Sequence, residues 1–167
     1  LSLHDAPPIL LAGQNRPGAT NLVTGIEQAA AAFTPIVSIE GFISTKDKIQ
    51  DAFQGLDQQS LFKPITKKTW TITKAKNIPK TFSKAFNLAM SPRRGPVQLN
   101  LPRNILSETA KFNINRNEKS YETINTTKGK KGDIKKAAKI ISSATKPVII
   151  AGGGIKYTGN YKEVIKL

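Results

Sequence analysis

Short apolar runs and amphipathic stretches alternate along the first hundred residues. Ile9 to Ala12 is an apolar run that predicts a short buried strand, and Pro35 to Ile39 is a β-branched run that predicts the next. Between them, Leu22 to Phe33 reads as an alanine-rich helix with small residues on its packing face. Gly41 to Asp51 is polar and reads as a loop, and Asp51 opens a short segment ending near Asp57. Leu61 to Thr73 combines a Pro-broken turn with an extended stretch, Lys68 to Ile72. Asn77 to Ala89 carries the clearest helical period. Ile78, Phe82, Ala85, Phe86 and Ala89 share one face, Asn77 is a plausible cap, and Pro79 is tolerated in the first turn. Val97 to Leu101 is a further strand, stopped by Pro102. This alternation predicts an α/β fold, a parallel sheet flanked by helices.

The pattern changes after Ser107. Asn, Thr, Lys and Glu dominate as far as Gly132, which reads as an interdomain linker. Asp133 then caps an expected helix to about Ser143, with Ile134, Ala137, Ala138 and Ile141 on one face. Val148 to Ala151 reads as a strand leading into Gly152-Gly153-Gly154, and Tyr161 to Ile165 as the start of another helix. These pieces cannot close a core alone, so residues 133–167 are expected to open a second, Rossmann-like α/β domain. The triple glycine lacks the third glycine of a dinucleotide fingerprint and is a weak nucleotide signal. Leu1 to Ile9 fit poorly with the rest of the pattern, and His4 lies among them and is given no functional weight.

Composition removes several classes of chemistry. The chain has 167 residues, no cysteine and one histidine. Disulfides and thiolate metal sites are therefore excluded, and one histidine leaves no His-based metal cluster and no obvious catalytic triad. There is no apolar stretch of membrane-span length and no signal-peptide pattern, so a cytoplasmic setting is expected. The 26 Lys and Arg against 11 Asp and Glu give a net charge of +15. That charge admits a nucleic-acid-binding protein as a reading from another class. However, the lysines are spread widely and rarely interleave with aromatics, and the chain is also rich in Asn and Ile.

The segment Asn15-Arg16-Pro17-Gly18-Ala19-Thr20-Asn21 joins the first strand to the first helix. Pro17 fixes φ, Gly18 permits close approach, and Thr20 and Asn21 are N-cap residue types. A strand, a tight turn and a helix N-terminus together place a ligand against backbone amides. Pro17 to Gly25 (PGATNLVTG), Asp51 to Gln54 (DAFQ), Pro64 to Lys67 (PITK) and Gly95 to Arg103 (GPVQLNLPR) succeed one another in the chain. In order and spacing they resemble thiamine diphosphate-dependent enzymes of the acetolactate synthase type, and the match covers most of residues 10–156.

The resemblance implies a three-domain subunit. Residues 10–106 would form part of the pyrimidine-binding domain, and 133–167 the start of the middle domain, which in this family binds FAD, ADP or neither. The cofactor would be thiamine diphosphate, with Mg²⁺ held by a C-terminal domain outside this sequence; no metal ligand is assigned here. Pro17, Gly18 and Asn21 would lie against the aminopyrimidine side of the cofactor. Phe53 and Gln54 would face the reacting centre across a subunit boundary, and Arg103 would stand at the substrate entrance. A 2-keto acid substrate and a homodimer or homotetramer are implied, with the chain alone inactive. Acetolactate formation leads; sulfoacetaldehyde acetyltransferase and oxalyl-CoA decarboxylase-like enzymes are the alternatives. The family's catalytic glutamate lies upstream of the Pro-Gly turn, and neither Glu27 nor Glu40 occupies its motif position. Arg16 stands where glycine is usual, Gly55 where glutamate is usual, and Asn104 where aspartate is usual.

Overall fold

A computed structural model describes residues 8–112, 128–155 and 161–166. The described residues fall into two units, 8–112 and 128–166. In the first, four strands form one parallel sheet: β1 (Ile9–Gly13), β2 (Ile36–Phe42), β3 (Thr69–Thr71) and β4 (Val97–Pro102), in the order β1-β2-β4-β3. The helices of this unit are α1 (Gly18–Ala31), α2 (Gln58–Phe62), α3 (Ile78–Met90) and α4 (Arg103–Leu106), with 3-10 turns at Lys63–Ile65 and Ala75–Asn77. The α/β class expected from the alternating pattern is what this unit adopts.

Side-chain alternation on β2 and β4 divides the unit into two layers. Val37, Val97 and Leu99 project onto α3, where they meet Ala85 and Ala89; Ile39, Trp70, Phe82 and Phe86 close the margin. The two alanines are fully buried and let the α3 backbone approach the sheet. The other layer lies under α1 and α2, where Ala19, Ile26 and Phe62 are fully buried and packed by Leu22, Val23 and Leu61. Ile72, Ala75 and Ile105 form a smaller cluster with Ile78 and Leu101.

Several expectations need correction. Among the described residues β1 is an edge strand, not a buried one: it pairs with β2 alone, and Ile9 and Leu10 are 52% and 54% exposed. Helix α1 starts at Gly18 with Pro17 as N-cap, so Thr20 and Asn21 sit inside the first turn. Thr20 Oγ1 donates to the Pro17 carbonyl at 2.8 Å rather than capping a free N–H. The polar loop begins later than expected, since β2 continues through Gly41 and Phe42. Asp57 caps α2, which the sequence pattern missed: its carboxylate accepts from Ser60 N (3.1 Å) and Ser60 Oγ (2.6 Å), and these bonds hold it below the usual carboxylate range.

In the second unit, α5 (Lys131–Ser143) and α6 (Tyr161–Ile165) form, but Asp133 lies in the first turn of α5 and Lys130 is the N-cap. Val148 to Ala151 is not a strand: among the described residues no neighbouring strand takes its backbone hydrogen bonds, and Val148 and Ile150 are 86% and 94% exposed. Ile134 and Ile141 on α5 are exposed as well. His4 and most of the expected linker, 113–127, lie outside the described residues.

The alanine stripe on α3 sets a volume limit. Ala85→Leu should destabilise the chain by about 1–3 kcal/mol in urea unfolding. The control Lys84→Leu, one position away on the exposed side, should stay within about 0.5 kcal/mol.

Candidate functional site

All four strands run parallel, so their C-terminal ends share one rim, the usual place for a site in an open α/β sheet. A cleft of about 570 Å³ opens there, lined by Asn15, Ile43, Asp47, Lys48, Asp51, Ala52, Phe53, Gln54 and Arg103. Asn15 comes after β1, Ile43 after β2, and Arg103 after β4. The segment after β2 folds back over the rim through turns: Asp51 N and Ala52 N both donate to the Lys48 carbonyl, and Gly55 N donates to the Ala52 carbonyl at 2.8 Å.

Two features of that segment favour function over packing. Phe53 is 89% exposed, an unusual place for a large aromatic ring. Gln54 has φ 62°, a left-handed conformation that costs a side-chain-bearing residue of order 1–3 kcal/mol and clusters at functional sites. Gly55 makes this geometry feasible. A Cβ there would lie 2.0 Å from the Ile49 carbonyl oxygen and 2.9 Å from that of Ala52. The glycine in place of a usual glutamate is thus a requirement of this loop.

The far side of the cleft is pinned by polar contacts. Arg103 Nη2 donates to Asp47 Oδ2 at 2.7 Å, with the two side chains 72% and 32% exposed. At that exposure the pair is worth about 0–1 kcal/mol and serves mainly to orient the guanidinium. The Asn104 amide accepts from Thr45 N and donates to Thr45 Oγ1, both at 3.0 Å, and ties α4 to the loop after β2. The amide that replaces a usual aspartate therefore performs both roles.

The turn after β1 is close-packed. A Cβ on Gly18 would lie 3.2 Å from Gln14 Cβ, and one on Gly13 3.0 Å from Leu22 Cδ1. Arg16 is not among the described residues of positive φ, so the arginine in the usual glycine position carries no left-handed strain; its bond to Pro17 is cis. Pro17, Gly18 and Asn21 stand at the start of α1 beside Asn15, and Asn15 lines the cleft while those three do not. Phe53, Gln54 and Arg103 all line it. Glu27 is exposed on α1, and Glu40 is fully buried within the sheet. Sequence reasoning did not single out Ile43, Asp47 and Lys48, which belong to no motif.

No family model matches the chain. It is 40% identical over 158 residues to a Methanococcus aeolicus protein named "Probable acetolactate synthase large subunit", covering 93% of this chain and 26% of that protein. It is 41% identical over 152 residues to the acetolactate synthase large subunit of Buchnera aphidicola from Schizaphis graminum, covering 89% and 26% respectively. Over about nine-tenths of its length the sequence is similar to acetolactate synthase large subunits. The chain spans about a quarter of the length of these relatives. Its fold is shared with an X-ray structure described as "a putative thiamin diphosphate-dependent enzyme isolated from Mycobacterium smegmatis", with a TM-score of 0.78 at 21% identity over 95% of this chain and 30% of that one.

The residues present fit one end of a flat heteroaromatic cofactor. The Asn15 and Gln54 amides offer donors and acceptors, and the exposed Phe53 ring offers a face. Among the described residues no group of three His, Cys, Asp or Glu side chains is placed to hold a metal ion, and no helix is long and apolar enough to cross a membrane.

The loop at Gly55 gives a direct check. Gly55→Ala should destabilise the chain by about 1–3 kcal/mol and displace the amide NMR signals of Phe53 and Gln54. Unchanged signals would mean that the loop tolerates a side chain without moving.

Proposed function

We propose that this chain supplies the pyrimidine-side wall of the active site of a thiamine diphosphate-dependent carboligase that makes acetolactate from a 2-keto acid. The observation that carries the reading is the convergence of Asn15, Phe53, Gln54 and Arg103 on one rim cleft, in a chain 40% identical over 93% of its length to an acetolactate synthase-type relative. When bound, thiamine diphosphate supplies a carbanion that attacks a keto carbonyl and an electron sink for loss of carbon dioxide.

The roles of the chain's own residues come from chemistry and place. Pro17, Gly18 and Asn21 shape the close-packed corner against which the aminopyrimidine ring rests. The Gln54 amide holds an oxygen of substrate or intermediate without adding charge, and its left-handed backbone aims it. Phe53 covers the reacting centre and excludes water, a role that suits a ring 89% exposed in one chain but covered in a subunit pair. Arg103, oriented by Asp47, draws a carboxylate toward the cleft. The holder of Mg²⁺ and the diphosphate lies elsewhere in the subunit, and binding of FAD would belong to the middle domain. A homodimer or homotetramer in the cytoplasm completes the proposal.

The test uses the 167-residue chain itself. Thiamine and thiamine diphosphate should shift the same NMR signals, those of Asn15, Phe53 and Gln54, and Mg²⁺ should not strengthen binding, because the chain presents the ring side alone. Asn15→Ala, which removes the amide beside the Pro17–Gly18 corner, should weaken binding by about the value of one hydrogen bond, 0.5–1.5 kcal/mol. Shifts confined to other surfaces, or none at millimolar ligand, would remove the proposal.

A further inference from the structure

The layer of the sheet that faces α1 and α2 contains a continuous polar row. Ser38 and Glu40 enter it from β2, Gln98 and Asn100 from β4, and Thr71 from β3. Ser38, Glu40, Gln98 and Asn100 are each 0% exposed. Ser38 Oγ is hydrogen-bonded to Glu40 Oε1. Gln98 Nε2 donates to Glu40 Oε2 at 2.7 Å and to Asn100 Oδ1 at 2.5 Å, and Asn100 Nδ2 donates to Thr71 Oγ1 at 3.2 Å. Three strands are thus stitched together just below the rim.

A carboxylate sealed from water normally needs a cation, and among the described residues none faces Glu40. The Arg103–Asp47 pair lies at the rim and does not reach Glu40. β1 places Leu11 and Gly13 beside Ser38 and Glu40, and β3 places Thr69 and Thr71 beside Gln98 and Asn100. From α1 and α2 the buried residues are Ala19, Ile26, Ala29, Gln58 and Phe62. None of these groups titrates or carries charge. The Ser38 hydroxyl can accept as readily as donate, so a protonated Glu40 has a ready acceptor at Oε1 while Oε2 still receives Gln98.

We propose that Glu40 is carried as a neutral carboxylic acid and acts as a positioning residue for the cleft, latching β2 to β4 below the rim and loosening that joint when it ionises. Gly41 and Phe42 come directly after Glu40, and the Gly41 carbonyl accepts from Gln58 Nε2 at 3.1 Å. A Cβ on Gly41 would lie 3.0 Å from Asn15 Oδ1, so this backbone also supports the Asn15 side of the cleft. Arg103, the first residue of α4, comes three residues after Asn100 of β4. Ionisation would leave an unpaired charge among neutral groups sealed from water, relieved by admitting water between β2 and β4. The inference rests on the sheet and the cleft and not on the identity of the cofactor.

Burial pushes the Glu40 carboxyl above its ordinary value, opposed by the hydrogen bonds from Ser38 and Gln98. A folded-state value raised above the unfolded one means that the contribution of Glu40 to stability is complete below the ordinary glutamate range. It is lost as pH rises through the folded-state value.

The experiment is a pH titration of the full chain labelled with carboxyl-¹³C glutamate, which gives six resonances. Glu40→Gln deletes one resonance and so assigns it. That resonance should be the last of the six to titrate, and the emission of Trp70, the one tryptophan, should step at the same pH. In Glu40→Gln the step should vanish while the fold persists at neutral pH, since the amide can donate to Ser38 and accept from Gln98. Three results would overturn the proposal: titration of Glu40 together with the other glutamates, a Trp70 trace that is flat in the parent or still stepped in the variant, or loss of the fold in Glu40→Gln at a pH where the parent is folded. The ligand-induced shifts of the cleft test the functional reading separately, so the two can fail independently.

Discussion

The parallel pairing of β2 with β4 is the joint on which the rest of the unit depends. Val37 opposes Val97 and Phe42 opposes Pro102, with every residue between in register. Because the side-chain period is two, this one register decides both layers at once. It turns Val37, Val97 and Leu99 toward α3 and Ser38, Glu40, Gln98 and Asn100 toward α1 and α2. A slip of one residue would drive the polar row into the alanine stripe of α3. The same register brings Ile43 and Arg103, far apart in sequence, to one cleft.

The joint combines two kinds of force. The apolar face supplies most of the favourable free energy, since it removes Val37, Val97 and Leu99 entirely from water. The polar face supplies direction: amide, carboxyl and hydroxyl groups must meet donors and acceptors at fixed positions, and that excludes alternative alignments. At the opposite, N-terminal end of the strands a lysine is tied to the end of α3. Lys67 Nζ donates to the Leu88 carbonyl at 2.6 Å and to Ser91 Oγ at 2.7 Å at the C-terminal end of α3, where a cation complements the helix dipole. The two ends of the sheet therefore differ in chemistry, and the amide-lined cleft lies at the C-terminal one.

Much of this was legible in the sequence, for identifiable reasons. The face of α3 carrying Ile78, Phe82, Ala85, Phe86 and Ala89 was readable because packing against one surface imposes a helical period. Three strands were readable as β-branched or apolar runs bounded by Pro and Gly. What failed depended on neighbours. The exposure of Ile9 and Leu10 comes from the place of β1 at an edge, and no local pattern encodes an edge. Val148 to Ala151 has strand composition but no partner strand among the described residues. The Asp57 cap was missed because α2 is only five residues long, too short for periodicity to show. At the rim, Phe53, Gln54 and Arg103 were accessible through motifs, whereas Ile43, Asp47 and Lys48 join the cleft only because the chain after β2 folds back. The buried state of Glu40 was equally invisible, since an acid flanked by Ile39 and Gly41 reads as an ordinary strand residue.

The missing Cβ at Gly55 also bears on how such a sequence can change over time. With the Ile49 carbonyl where a side chain would begin, no single substitution at position 55 is neutral. A glutamate at this position requires the backbone around Ile49 to move. Positions 49 and 55 are therefore coupled: a side chain can enter at 55 only together with a change in the Lys48–Ile49 turn.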